Sequence, residues 1–233
     1  ECISNFDVLD ENTKPYDLKI AMSPVCNCEF LDRREGCDIN QVLQTFLGEK
    51  KIIYVHERGC EVRDTILSNE KVKHLELYNV DLINVVFDMP RLRKLEINNC
   101  IIKITPALFA ICTALEELIF DHCEFVFGQD QDFDYTVLQL VPRLENLVFL
   151  KCGSLQMERV THATLRELTL SSTRLKNNKV IIDCESLGEA CIWNIDGVEN
   201  LIINAPRMER LSYSESRSCT PEQYIKTMTI NSE

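Results

Sequence analysis

The sequence predicts an α/β solenoid, in which each repeat contributes one strand to a continuous parallel sheet. Three observations predict this fold: a recurring pattern of apolar positions, a nearly regular spacing between its copies, and a short phrase that occurs three times. A single repeat of 20 to 29 residues cannot bury its own apolar face, so we expect the copies to stack.

The recurring pattern is apolar-x-x-apolar-x-apolar. Its clear copies are Val72/Leu75/Leu77, Leu92/Leu95/Ile97, Leu115/Leu118/Phe120, Leu144/Leu147/Phe149, Leu165/Leu168/Leu170, Leu187/Ala190/Ile192 and Met208/Leu211/Tyr213. Successive first anchors lie 20, 23, 29, 21, 22 and 21 residues apart, and a degenerate earlier copy is placed at Ile52. All anchors in these seven copies are apolar or aromatic, which chance seldom produces in a chain that is 45% hydrophobic.

A proline followed by an arginine opens three of the copies. The phrases are Pro90–Ile97, Pro142–Phe149 and Pro206–Tyr213. Successive side chains of a strand point to opposite faces, so the fourth and sixth places of each copy point into a core. The residues between these anchors then point outward from the sheet.

This pattern resembles the leucine-rich-repeat family over about residues 50–230, and its period lies in the family's range. Family members usually carry Asn or Cys at the ninth place, where this chain has Cys60, Cys100, Cys123 and Cys152. We expect these four cysteines to be buried, reduced and structural. The resemblance implies a horseshoe with a parallel concave sheet and an irregular or short helical convex side.

The return segments are expected to differ from one another. Pro106–Cys112 favours a helical turn with Pro at its start, whereas Val198–Ile203 favours a convex strand. The longest copy carries an insertion at residues 124–141, which contains Asp130, Asp132 and Asp134. The Gly and Glu of a calcium-binding loop are missing there, so we interpret the insertion as a solvated acidic loop.

Three regions are predicted. Residues 1–50 form a disulfide-linked N-terminal cap, which ends in a short helix or turn over Ile39–Leu47 before Gly48. Residues 51–218 hold about eight repeats. Residues 219–233 form a C-terminal cap or a truncated last repeat with anchors Ile225/Met228/Ile230.

The cap contains Cys2, Cys26, Cys28 and Cys37. One pairing joins Cys2 to Cys28 and Cys26 to Cys37, but four cysteines allow three connectivities. A zinc site is the alternative, although zinc usually requires two pairs of cysteines at C-x2–4-C spacing. A further disulfide is predicted among Cys184, Cys191 and Cys219 at the carboxyl-terminal end, with Cys219 as one member and Cys184 selected as its partner.

The net charge of the chain and its lack of catalytic motifs argue against several classes of function. A net charge of −12 suits neither the phosphate backbone of a nucleic acid nor an anionic membrane surface. No apolar stretch approaches the ~18 residues of a membrane span. The sequence lacks the motifs of hydrolases, nucleotide-binding proteins and metalloproteases. We therefore predict no enzymatic activity, no cofactor and no metal.

The outward residues of the repeats form three columns, in which most positions are polar. Apolar and aromatic residues that interrupt such a wet face suggest the anchor site of a protein partner. The residues predicted to bind a partner are Tyr78, Glu96, Ile119, Asp121, Val148, Leu150, Trp193 and Arg210. In the alternative arrangement, Phe127, Phe133 and Tyr135 of the insertion fold over Ile119, Val148 and Leu150.

The expected function is a non-catalytic extracellular recognition module, either a receptor ectodomain or a secreted binding protein. The resemblance to extracellular family members with a cysteine cap carries this expectation, together with a location in the secretory pathway or at the cell surface. Another protein is the expected partner, and a homodimer is possible. The alternative is an intracellular adaptor, because phrases such as Ile203–Met208 resemble the repeats of F-box substrate receptors.

Overall fold

The computed structural model describes most of the chain from residue 28 onward. The described residues are 28–31, 38–55, 60–103, 105, 107–109, 111–126, 136–153, 155, 157–173, 175, 178–214, 225 and 227–231. In chain order the elements are β1 (Cys28–Leu31), α1 (Ile39–Thr45), β2 (Lys50–Val55), β3 (Cys60–Arg63), β4 (Ile66–Ser68), β5 (His74–Tyr78), β6 (Val80–Ile83), β7 (Val86–Asp88), β8 (Lys94–Asn98), β9 (Ile101–Lys103), β10 (Glu117–Asp121), β11 (Glu124–Val126), α2 (Thr136–Gln139), β12 (Asn146–Leu150), β13 (Arg159–Thr161), β14 (Glu167–Ser171), β15 (Lys179–Asp183), β16 (Glu189–Trp193), β17 (Asn200–Asn204), β18 (Arg210–Ser214) and β19 (Thr227–Asn231).

These strands form a parallel β-solenoid. One nine-stranded sheet runs in the order β1-β2-β5-β8-β10-β12-β14-β16-β18, with every neighbouring pair parallel. The return segments form a four-stranded sheet β11-β9-β6-β3, a second one β13-β15-β17-β19, and the pair β4-β7. The predicted stack of repeats is confirmed at this level.

The described return segments consist mostly of strands and turns, so the helical part of the α/β prediction is not confirmed. Only α1 and the four-residue α2 are helical in the described part of the chain. Within the segment predicted as a helical turn, Leu108 N donates to Thr105 O (3.0 Å) and Cys112 N donates to Phe109 O (3.0 Å). These are single turns, and they allow the Phe109 ring to stack on Phe87, with centroids 6.1 Å apart. The strand predicted at Val198–Ile203 is confirmed as β17.

The core lies between the nine-stranded sheet and the return segments. In the first six clear copies every anchor side chain is at most 1% exposed. Three aromatic rings fill the core beside the insertion, because Phe120 lies 5.2 Å from both Phe125 and Phe149 between ring centroids. In the last copy the anchors open to solvent, and Tyr213 is 37% exposed.

Two parts of the predicted register are wrong. In the first copy Lys51 pairs with Leu75 and Ile53 with Leu77, so the copy does not start at Ile52. Lys51 is nevertheless buried, and its ammonium lies 4.9 Å from the centre of the Phe46 ring.

The second error concerns the end of the chain. Met228 pairs with Leu201 and Ile230 with Ile203, within the return sheet. Strand β19 therefore completes the coil that β18 begins and does not start a new copy.

A turn with positive φ follows the strand in six consecutive copies. The residue with positive φ is at the eighth place each time, and its φ lies between 49 and 60°. These residues are Asn79, Asn99, His122, Lys151, Ser172 and Asn194. Each of these backbone N–H groups donates to the last strand residue of the next coil, as His122 N does to Leu150 O (2.9 Å). Asn tolerates this left-handed conformation better than His, Lys or Ser, so tertiary hydrogen bonds hold the turn in the latter copies.

The short helix α1 is fixed to the first coils by one buried amide. Asn69 Nδ2 donates to Leu43 O (2.5 Å) and Phe46 O (3.0 Å) at the helix end, while its Oδ1 accepts from Val72 N (2.9 Å). Asp38 caps the start of the helix by accepting from Gln41 N (2.9 Å). The predicted helix is confirmed, and it ends at Thr45.

The alternation within β12 can be tested by paired truncations. Phe149→Ala should lower the free energy of unfolding by about 3–5 kcal/mol, because it opens a cavity among stacked rings. Val148→Ala, one residue away on the outward side, should cost less than about 1 kcal/mol. Urea denaturation of both variants measures the difference. Equal losses would contradict the inward and outward assignment.

Candidate binding face

We define the outward face as the side chains of the nine-stranded sheet, from β2 onward, that alternate with the buried anchors. Strand pairing arranges them in three columns. The first is Lys50, His74, Lys94, Glu117, Asn146, Glu167, Glu189 and Arg210; the second is Ile52, Glu76, Glu96, Ile119, Val148, Thr169, Cys191 and Ser212; the third is Tyr54, Tyr78, Asn98, Asp121, Leu150, Ser171, Trp193 and Ser214. The three predicted columns are confirmed from β5 to β18, residue by residue.

The eight predicted binding residues all lie on this face, but the structure separates them into three groups. Tyr78 and Glu96 lie on β5 and β8, whereas Trp193 and Arg210 lie on β16 and β18. Six strand spacings of about 4.8 Å separate β5 from β18, so the ends of this array are about 29 Å apart. The other four residues lie together in the centre.

The central group is an apolar patch with one carboxylate. Ile119 pairs with Val148, and Asp121 pairs with Leu150, across the β10–β12 ladder. All four side chains are partly exposed. Their direct neighbours on β14 are Thr169 and Ser171. The residues at 127–135, which were predicted to cover this patch in the alternative arrangement, lie outside the described part of the chain.

Trp193 is the most exposed aromatic residue of the described face, at 45%. It pairs with Ser171 on one side and Ser214 on the other, so small residues flank it. Two strand spacings, about 10 Å, separate it from Leu150 in the same column. A single partner segment can therefore contact both residues.

The polar cluster near β5 is built around Glu76. Its Oε1 lies 2.8 Å from Lys50 Nζ and 3.1 Å from His74 Nε2, and its Oε2 accepts from Tyr78 OH (3.2 Å). Burial raises the pKa of Glu76, but the contacts with His74 and Lys50 outweigh it and lower the pKa to about 2. Burial and the nearby carboxylates of Glu76 and Glu96 raise the pKa of Tyr78.

This cluster also brings together groups that metals bind. Potential ligand atoms of His74, Glu76 and Glu96 lie within 4.8 Å of one another. The contact between His74 Nε2 and Glu76 Oε1 is short but does not have the geometry of a directed hydrogen bond. Because the Lys50 ammonium already contacts the Glu76 carboxylate, a positive charge from the chain itself balances this site.

Cys60, Cys100, Cys123 and Cys152, the four cysteines predicted at the ninth place, are buried thiols. Three of them donate to backbone carbonyls near the ends of strands: Cys100 Sγ to Asn98 O (3.0 Å), Cys123 Sγ to Ile97 O (3.1 Å) and Cys152 Sγ to Leu150 O (3.3 Å). Burial raises the pKa of the Cys123 and Cys152 thiols. Because a protonated thiol is a poor nucleophile and a poor metal ligand, this shift disfavours both roles for Cys123 and Cys152.

Cys184 does not form the predicted disulfide. It is a free, fully buried thiol, and its Sγ lies 3.7 Å from Val160 O in the preceding coil. Burial raises its pKa to about 11. Its side chain lies in the core. The other predicted disulfide positions, Cys2, Cys26, Cys37 and Cys219, lie outside the described residues, as does the Cys28 side chain.

Several residues of the face were not predicted as binding residues. Lys50, Ile52 and Tyr54 of β2 were missed because the first copy was placed to start at Ile52, four residues beyond the start that the pairing of Lys51 with Leu75 gives. Glu117 and Glu167 were placed in the correct column but were not selected, since single carboxylates on a wet face are common. The signal that identifies them is their position beside the apolar patch.

No protein-family model, curated protein or solved structure matches the chain. Among the described residues, no helix has both the length and the apolar character required to cross a bilayer.

The ionised state of Glu76 predicts a pH dependence of stability. Its pKa in the folded protein lies below the unfolded value of 4.5, so its contribution is complete above about pH 4.5 and is lost as the pH falls toward 2. Glu76→Gln should therefore reduce the free energy of unfolding near pH 7 by up to about 3 kcal/mol. The gap between variant and wild type should shrink as the pH falls.

Urea denaturation at several pH values measures this gap. The exposed Glu185 serves as the matched control, because Glu185→Gln should change stability little at any pH. A gap for Glu76→Gln that stays constant between about pH 7 and 3 would show that the carboxylate is not held ionised by its neighbours.

Proposed function

We propose that this chain is a non-catalytic protein-recognition module that binds its partner through the outward face. The observation that carries this proposal is the apolar patch of Ile119, Val148 and Leu150 in the centre of an otherwise polar face. Solvent-exposed apolar residues within a polar rim are typical of the anchor regions of protein interfaces. The exposed Trp193 adds a second anchor at a distance that one partner segment can span.

We assign the module to the leucine-rich-repeat type. The buried anchors and the ninth-place thiols that donate to strand-end carbonyls support this assignment. The return segments depart from the expected helical or irregular form, since many of them are short strands. The proposal therefore rests on the repeat pattern and not on the form of the return side.

An extracellular location, in a receptor ectodomain or a secreted protein, is our first candidate. The cysteine-rich start of the chain supports it. An intracellular adaptor is the second candidate, and the free thiols favour it. The described residues contain seven free cysteines, and Cys191 is partly exposed on the outward face. Exposed thiols oxidise readily outside the cell, whereas a reducing compartment preserves them.

A thiol count on the denatured, unreduced protein distinguishes the two candidates. The chain has 12 cysteines, of which seven are free in the described residues. If the four cap cysteines form two disulfides, the count should be 12 − 4 = 8 before reduction and 12 after it. A count of 12 without reductant, in protein purified under oxidising conditions, would exclude the extracellular candidate.

The binding face can be tested before the natural partner is identified. Random peptides displayed on phage are selected on the immobilised protein, and individual clones are then measured against variants. Leu150→Asp and Trp193→Ala should each weaken most selected clones by about tenfold or more, since loss of a central anchor costs more than ~1.4 kcal/mol.

The matched control is Ile101→Asp, which makes the same kind of change at an exposed apolar residue of the return sheet. This variant should bind the clones as the wild type does. Circular dichroism and urea denaturation establish that all three variants remain folded. Clones that lose binding to Ile101→Asp but not to Leu150→Asp would move the site to the return side.

A further inference from the structure

We infer that the partner segment presents an apolar side chain flanked by lysine or arginine, and that Asp121 and Glu167 receive these cations. This inference rests on the proposed function, because it specifies the chemistry of the partner bound at the same face. It follows from the distribution of charge around the apolar patch.

Charge is distributed unevenly along the outward face. On β10, β12, β14 and β16 the three columns contain the carboxylates of Glu117, Asp121, Glu167 and Glu189 and no lysine or arginine. The lysines and arginines of the face are Lys50 on β2, Lys94 on β8 and Arg210 on β18, and His74 lies on β5, so all four lie outside this stretch. The patch therefore sits in a wholly acidic stretch of the sheet.

The basic residues at the ends already have carboxylate partners. Lys94 Nζ lies 3.2 Å from Glu117 Oε1, and Arg210 Nη1 lies 3.3 Å from Glu189 Oε2. These two pairs account for the outer carboxylates of the stretch. Asp121 and Glu167 remain next to the patch without a lysine or arginine partner in the described part of the chain.

Asp121 lies at one side of the patch. It faces Leu150 across the ladder and is two residues, about 6.6 Å, from Ile119 along the same strand. Its Oδ1 is buried from solvent and 2.7 Å from His122 Nδ1, but it accepts no well-directed hydrogen bond. The basic residues His122 and Lys151 lie in the turns beyond the strand ends and not in the columns.

Glu167 lies on the opposite side of the patch, in the first column. It pairs with Asn146 on β12, so it is one strand away from the strand that carries Val148. Its side chain is exposed. The two carboxylates thus flank the apolar residues on opposite sides of the central column.

The free-energy cost of removing water from the carboxylates determines which chemistry the partner should have. An apolar segment that covers the patch also removes water from Asp121 and from part of Glu167, and a desolvated carboxylate without a partner destabilises the complex. A cation on each side of the apolar side chain restores the lost interaction. The net charge of −12 also attracts basic segments over a longer range and repels acidic ones.

The test uses the same peptide selection on the full chain and examines the sequences of the clones. Face-dependent clones, defined by their loss of binding to Leu150→Asp, should be enriched in Lys and Arg next to an apolar residue, relative to the unselected library. The isosteric double variant Asp121→Asn/Glu167→Gln should weaken these clones by about tenfold or more, and raising the salt from about 0.05 to 0.5 M should weaken them more on the wild type than on the double variant.

The outcomes separate this inference from the proposed function. Face-dependent clones without basic enrichment, or with full affinity for Asp121→Asn/Glu167→Gln, would overturn the inference and leave the binding face intact. Clones that are indifferent to Leu150→Asp would overturn both. Glu124→Gln, an exposed carboxylate on the return strand β11, controls for a general effect of lost negative charge, and it should leave binding unchanged.

Discussion

The structure depends on in-register pairing of parallel strands between successive coils. Because side chains alternate along a strand, this register alone places the fourth and sixth residues of each copy in the core and the residues between them outside. The anchors of six copies are at most 1% exposed for this reason, although their copies differ in length from 20 to 29 residues. Differences in length are absorbed in the return segments, where strands, turns and the insertion alternate.

The same constraint produces the candidate binding face. Most residues of the outward columns lie outside the core, and they differ from one end of the sheet to the other. Near β5 the face is a balanced ionic cluster around Glu76, in which the chain supplies both signs of charge. In the centre it is apolar and acidic. Asp121 and Glu167 have no lysine or arginine partner among the described residues, because Lys94 and Arg210 pair with Glu117 and Glu189. The charges of the outward face are balanced near β5 and unbalanced in its centre. This difference favours the centre as the site of recognition.

Much of this arrangement could be predicted from the sequence. Anchor spacing placed every outward residue from His74 to Ser214 in its correct column, because period-two alternation is local. The errors arose where local pattern was ambiguous. In the first copy Lys51 takes the fourth place, where the other copies have an apolar anchor, so the pattern does not mark the start of this copy and pairing with β5 decides it. Likewise, the apolar spacing of Ile225, Met228 and Ile230 fits either sheet, and only the position of β17 selects the return sheet.

The sequence by itself determined the stacked-repeat architecture, the inward anchors and the composition of the face, since all three follow from a periodic pattern that each copy repeats. Only the tertiary structure decided the conformation of the turns and the environment of single groups. Lys151 adopts positive φ because its N–H meets the Ser171 carbonyl of the next coil, and Cys184 is a core thiol because its coil places it beside Val160. The phrase around each residue does not contain this information, because the groups that decide its state belong to neighbouring coils about twenty or more residues away.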